Sequence, residues 1–128
     1  MEGLILLSKQ IPDPESLLPL TPAMFHILLA LADAERHGYG IIKEVSMRTD
    51  GRVQMGPGTL YGLIKRMLAE GLIEESEERP DPETDDERRR YYRLTDFGHR
   101  VAAAEAQRLA QMVRVARAKG LFAKPEGA

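Results

Sequence analysis

The strongest constraint on the fold is the punctuation of its helices. Thr21-Pro22 sets an N-cap residue before a proline suited to the first helical position, and Gly56-Pro57 repeats the first-position proline. Thr95-Asp96 starts a third such segment, with a carboxylate at the positive end of the helix dipole. After Pro22, Met24, Ile27, Leu28 and Leu31 recur at helical spacing and give one buried face. That helix is expected to stop at His37-Gly38, with Gly38 as a left-handed terminator. A second helix is expected from Tyr39 to Arg48, closed by the turn Asp50-Gly51. The third, from Pro57, carries the stripe Leu60, Leu63, Ile64, Met67 and Leu68 and ends at Gly71.

Two strands follow. Leu72 to Glu78 and Arg89 to Leu94 flank a proline-rich acidic loop, Arg79 to Glu87, and read as a hairpin with a long tip. The last helix is expected to run from Thr95 to about Lys119, longer than one small core requires. Residues 1–20 read as an arm, because Pro12, Pro14 and Pro19 break any long helix there. Ile11 to Glu15 is expected to be extended, and two alternatives stand for the arm: disorder, or packing on a neighbour through Leu17, Leu18 and Leu20. The fold class is therefore mainly α with a small β hairpin. It is a winged helix-turn-helix over residues 21–94, followed by a long C-terminal helix and tail over 95–128.

Charge narrows the function. The 128 residues carry a formal net charge of −2, so bulk charge supplies no affinity for polyanions. The sign is unevenly placed: residues 21–78 hold six bases against nine acids, and residues 94–128 six against three. A nucleic-acid surface must be local. In a winged helix the third helix enters the major groove. Opposite its apolar stripe lie Gly58, Gly62, Lys65 and Ala69, with Thr59, Tyr61 and Arg66 at the edges. A face this bare lets backbone and short side chains approach base edges, while Thr59, Tyr61, Lys65 and Arg66 suit phosphates. Arg88, Arg89, Arg90 and Arg93 on the second strand either clamp phosphate or pair with Glu74, Glu75, Glu77 and Glu78 opposite. A mixture is expected, with Arg89 and Arg90 as the DNA candidates.

Other chemistry is poorly supplied. With no cysteine there is no disulfide, thiolate metal site or thiol nucleophile. His26, His37 and His99 share no metal-ligand spacing, and no nucleophile–base pair or cofactor loop is visible, so no catalytic residue, metal or cofactor is expected. No apolar run approaches a membrane span, no secretory leader is read at the start, and the cytoplasm is the expected address.

Residues 20–100 resemble the PadR family of bacterial winged-helix regulators. The resemblance rests on His37-Gly38-Tyr39-Gly40, Gly56-Pro57-Gly58-Thr59-Leu60-Tyr61, Glu70-Gly71-Leu72-Ile73 and Arg88-Arg89-Arg90-Tyr91-Tyr92-Arg93-Leu94-Thr95-Asp96-Phe97-Gly98. The single short C-terminal helix is similar to that of the smaller PadR subfamily. The resemblance implies a homodimer held by that helix, with Val101, Leu109, Met112, Val113 and Ala116 as contacts. It also implies double-stranded DNA with two-fold related sites as partner, repression, and a small aromatic or hydrophobic effector. Two features depart from the family: Asp81 to Glu87 puts five acids at the wing tip, where phosphates repel them, and the arm is long. The competing class is a winged-helix module that binds protein through its acidic wing.

Overall fold

Thr21 accepts a hydrogen bond from the Met24 N–H at 3.3 Å, and with Pro22 behind it starts α1, Pro22–Ala32. The computed structural model describes residues 13–76 and 90–123. Met24, Ile27, Leu28, Ala30 and Leu31 are the buried side of α1, as the periodicity requires.

The end of α1 differs from expectation. The helix stops at Ala32, where Arg36 Nε donates to the Ala30 carbonyl at 2.7 Å and satisfies one of the acceptors left open at a helix end. Arg36–His37 is a short strand, β1, and Gly38 opens the next helix instead of closing the last. His37 is its N-cap, with Nδ1 accepting from the Gly40 N–H at 3.0 Å. Gly38 is not among the glycines with positive φ; its small size is used instead, because the Tyr61 hydroxyl lies 2.5 Å from where a Cβ would stand.

Helix α2 spans Gly38–Arg48 and buries Ile41 and Val45. The turn after it places Asp50 at φ 53° and Gly51 at φ 76°. Helix α3, Pro57–Ala69, buries Leu60, Ile64 and Met67, and Gly71 at φ 75° terminates it as expected.

The expected hairpin is two strands of a three-stranded antiparallel sheet. Strand β2, Ile73–Ser76, and β1 flank β3, Tyr91–Leu94, with Arg36 opposite Tyr92 and Glu75 opposite Tyr92 from the other side. Tyr91 and Tyr92 are therefore both buried, where alternation predicts one in and one out. Tyr91 is enclosed from the β1 side, edge-on to the His37 ring at 5.2 Å.

Thr95 donates its N–H and hydroxyl to the Leu72 and Gly71 carbonyls and accepts from the Gly98 N–H. Helix α4, Asp96–Ala118, begins there. It buries Gly98, Val101 and Glu105, and nothing after residue 105. Val101 is thus corrected: it is fully buried in its own domain's core and is no surface for a partner. The arm is corrected too. Pro14–Leu17 is a single 3-10 turn capped by the Asp13 carboxylate, because Pro14 and that cap favour a turn over extension. It packs on α4, and Leu20 is buried in the core.

Candidate nucleic-acid interface

The outer side of α3 is built by exclusion. Once Leu60, Ile64 and Met67 turn inward, Gly58, Thr59, Tyr61, Gly62, Lys65, Arg66 and Ala69 are all exposed. The six of these singled out in the sequence as DNA contacts therefore share one surface.

The two glycines are informative. A Cβ at Gly58 or Gly62 would meet nothing within 4 Å, and neither has a positive φ. Packing and backbone geometry thus give no reason for glycine at either position. Gly in a helix interior nevertheless weakens the helix by about 1 kcal/mol relative to Ala. The fold tolerates this loss at Gly62 and keeps a bare surface there, the property needed for close approach by another molecule.

The polar residues are unequal. Lys65 makes no ion pair among the described residues. Arg66 Nε pairs with Glu70 at 2.8 Å, so its charge is partly answered within the helix. Tyr61 is half exposed, its ring reaching over Gly38 at the start of α2. On that side Tyr39, 64% exposed, stacks on His37 at 6.4 Å. The tyrosines therefore flank the junction of α2 and α3.

The wing base is largely self-neutralised. Arg90 Nη1 lies 3.1 Å from Glu75, and Arg93 Nε lies 2.9 Å from Glu74, with Glu35 at 3.7 Å. The Glu74 bond holds the proton on Arg93 more firmly. Burial, reinforced by Glu75, pushes the Tyr92 phenol up, so it stays protonated beside these pairs. Arg90 is exposed immediately before β3. Arg89 and the acidic tip, residues 81–87, lie outside the described residues.

Sequence reading missed Lys43, exposed one turn beyond Tyr39 on α2; its i, i+4 spacing from Tyr39 was the available signal. It also missed Glu105, the only buried charged side chain among the described residues. No group of three or more His, Cys, Asp or Glu among them could hold a metal ion, and no described helix is long and apolar enough to cross a membrane.

Comparison with known proteins agrees with this geometry. A model of the transcriptional regulator PadR-like family matches residues 27–104. A transcriptional regulator of Mycobacterium tuberculosis is 35% identical over 89 residues, 70% of this chain and 77% of that protein. Among solved structures, a PadR family transcription regulator from Clostridium difficile has 26% identity and a TM-score of 0.61, covering 77% of this chain and 97% of that one. The PcaV transcriptional regulator of Streptomyces coelicolor, solved with its natural ligand, has 26% identity and a TM-score of 0.60 over 80% of this chain and 64% of that one. The chain spans only 24% of the length of one curated relative, from Streptomyces fradiae, and 63% of another, from Lysinibacillus sphaericus.

Proposed function

The chain belongs to the transcriptional regulator PadR-like family, and from that premise we propose that it is a dimeric repressor that reads double-stranded DNA with α3. Two copies of α3 enter successive major grooves of a two-fold related operator, about 34 Å apart. Gly58 and Gly62 let the helix lie close to the base edges. Thr59, Tyr61, Lys65 and Arg66 hold phosphates, and Arg89 and Arg90 add charge from the wing. Leu109, Met112, Val113 and Ala116 join the two copies. A small hydrophobic or aromatic compound releases the repressor, a reading supported by the Streptomyces coelicolor relative solved with its ligand. Reading DNA carries a cytoplasmic location with it.

The observation that carries the proposal is the empty space over Gly58 and Gly62. Its test is binding to duplex from the promoter of the chain's own operon, followed across salt concentrations. The expected result is a steep linear fall of log affinity with log salt. Lys65→Gln should weaken binding and shorten that slope by about one per lost phosphate contact. An intact dimer that binds no duplex at low salt would overturn the reading. It would favour a protein-binding winged helix, whose one supporting observation is the pairing of Arg90 and Arg93 with wing carboxylates.

A further inference from the structure

Glu105 sits in mid-helix on α4, 1% exposed, where a charged group must be answered on every side. One carboxylate oxygen, Oε2, accepts the Leu20 N–H at 2.8 Å; the other, Oε1, accepts from Arg108 Nε. The Arg108 bond, with the Leu20 N–H adding to it, holds the carboxyl below the usual carboxylate range against the opposing effect of burial. Arg108 also reaches along the helix, with Nη1 3.3 Å from Met112 Sδ.

Leu20 immediately precedes Thr21, the cap of α1. The carboxylate therefore ties the middle of α4 to the first turn of the reading domain. A second tie holds the beginning of α4. Thr95 bonds the Gly71 and Leu72 carbonyls, and a Cβ on Gly98 would lie 1.9 Å from the Leu72 oxygen. Gly71 directly terminates α3. Between these two polar ties, about 10 Å apart, Val101 packs in the core, and the 3-10 turn Pro14–Leu17 packs on α4 as well; Glu105 is the last buried residue of the mounted stretch. Beyond Glu105 no residue of α4 is fully buried, and the helix continues for about 20 Å to Ala118. Over that length a tilt of about 10° moves the far end by about 3.5 Å, close to one base-pair step of about 3.4 Å.

We propose that Glu105 is a positioning residue for operator recognition: by fixing the angle at which α4 leaves the reading domain, it sets the half-site spacing that the dimer accepts. This rests on the reading of the chain as a dimer on a two-fold operator. Glu105 touches no DNA; it acts through α4.

The test is a series of duplexes carrying the operator with its two half-sites moved apart or together by one and two base pairs. Wild type, Glu105→Ala and Glu105→Gln are compared on each; Gln keeps an acceptor for the Leu20 N–H and loses the charge that holds Arg108. Wild type should lose about tenfold or more in affinity per step away from its optimum. Glu105→Ala should compress that difference to within about threefold, with Glu105→Gln between. Circular dichroism melts establish that each variant is folded, and if the alanine variant is not, the glutamine variant alone decides. An unchanged spacing profile, with affinity kept or lost equally on every duplex, overturns the proposal while the DNA-binding dimer stands. A wild type that binds no duplex, or is indifferent to spacing, overturns the dimer reading and this proposal with it.

Discussion

Gly62 and Gly98 are the same residue type used for opposite reasons, and substitution separates them. At Gly62 a methyl group meets open space. Gly62→Ala should therefore raise stability by about 1 kcal/mol in urea denaturation, since Ala is the better helix former. In duplex binding the same change should cost about tenfold, because the added methyl holds α3 off the base edges. A variant more stable and equally tight would deny that the bare surface serves DNA. At Gly98 the methyl would sit 1.9 Å from a backbone oxygen that cannot move aside. Gly98→Ala should destabilise by about 3 kcal/mol, the upper end of what overpacking costs, and lower the urea midpoint accordingly. The exposure of Gly62 was legible in the sequence, because helical periodicity puts it opposite Leu60 and Ile64. The reason for Gly98 was not, because the atom it avoids belongs to Leu72, far earlier in the chain, in the turn before β2. Val101 shows the same limit: periodicity finds an apolar face but cannot say whether the chain's own core or a second copy covers it.

Between elements, the α1–α2 crossing is held by an arginine that needs a neutral histidine. Arg48 Nη1 lies 3.1 Å from His26 Nδ1, Nη2 donates to the His26 carbonyl at 3.2 Å, and Nε donates to Glu44 at 2.6 Å. A donor facing Nδ1 requires that nitrogen to be unprotonated. Burial first, then the Arg48 charge, lowers the His26 pKa from its ordinary 6.5, with Glu44 pulling the other way. The folded state therefore resists a proton that the unfolded chain takes up near that ordinary value. His26 contributes stability above pH 6.5, and the contribution is lost as pH falls below it toward the depressed folded value. His26→Gln retains an acceptor and does not titrate. Urea midpoints measured on either side of pH 6.5 should fall less on acidification for this variant than for wild type. Equal falls would show that the contact does not set the pH response. Most element boundaries were readable from caps and glycines. Strand β1 was not, because its two residues are too few for any periodicity, and its reason to exist is pairing with Tyr91 and Tyr92, far along the chain.

At the scale of the whole molecule, α4 projects past its own domain. From Met112 to Val115 it exposes three large apolar side chains, Met112 at 56%, Val113 at 41% and Val115 at 43%. Half-buried Leu109 and Ala116 lie on the Val113 side. Leu109, Val113 and Ala116 recur at i, i+4, i+7, the stripe a facing helix covers, and a two-fold axis lets one patch serve both copies. The net charge of −2 gives the chain no general attraction to DNA, so in the proposed dimer a single α3 would hold its half-site through few phosphate contacts. Joining two converts the second contact into an intramolecular one, a gain of about 10²- to 10⁴-fold when the geometry permits both. The double variant Met112→Asp/Val113→Asp removes the joint without touching the core, since nothing in α4 beyond Glu105 is buried. Sedimentation should show monomers, and the stability of the reading domain should stay within about 0.5 kcal/mol of wild type. Affinity for the full operator should fall by about two orders of magnitude or more, while affinity for an isolated half-site stays the same. If the variant remains a dimer, the apolar end of α4 is not the joint. If it becomes a monomer with undiminished operator affinity, the two reading helices do not act together, and a two-fold operator loses its physical basis.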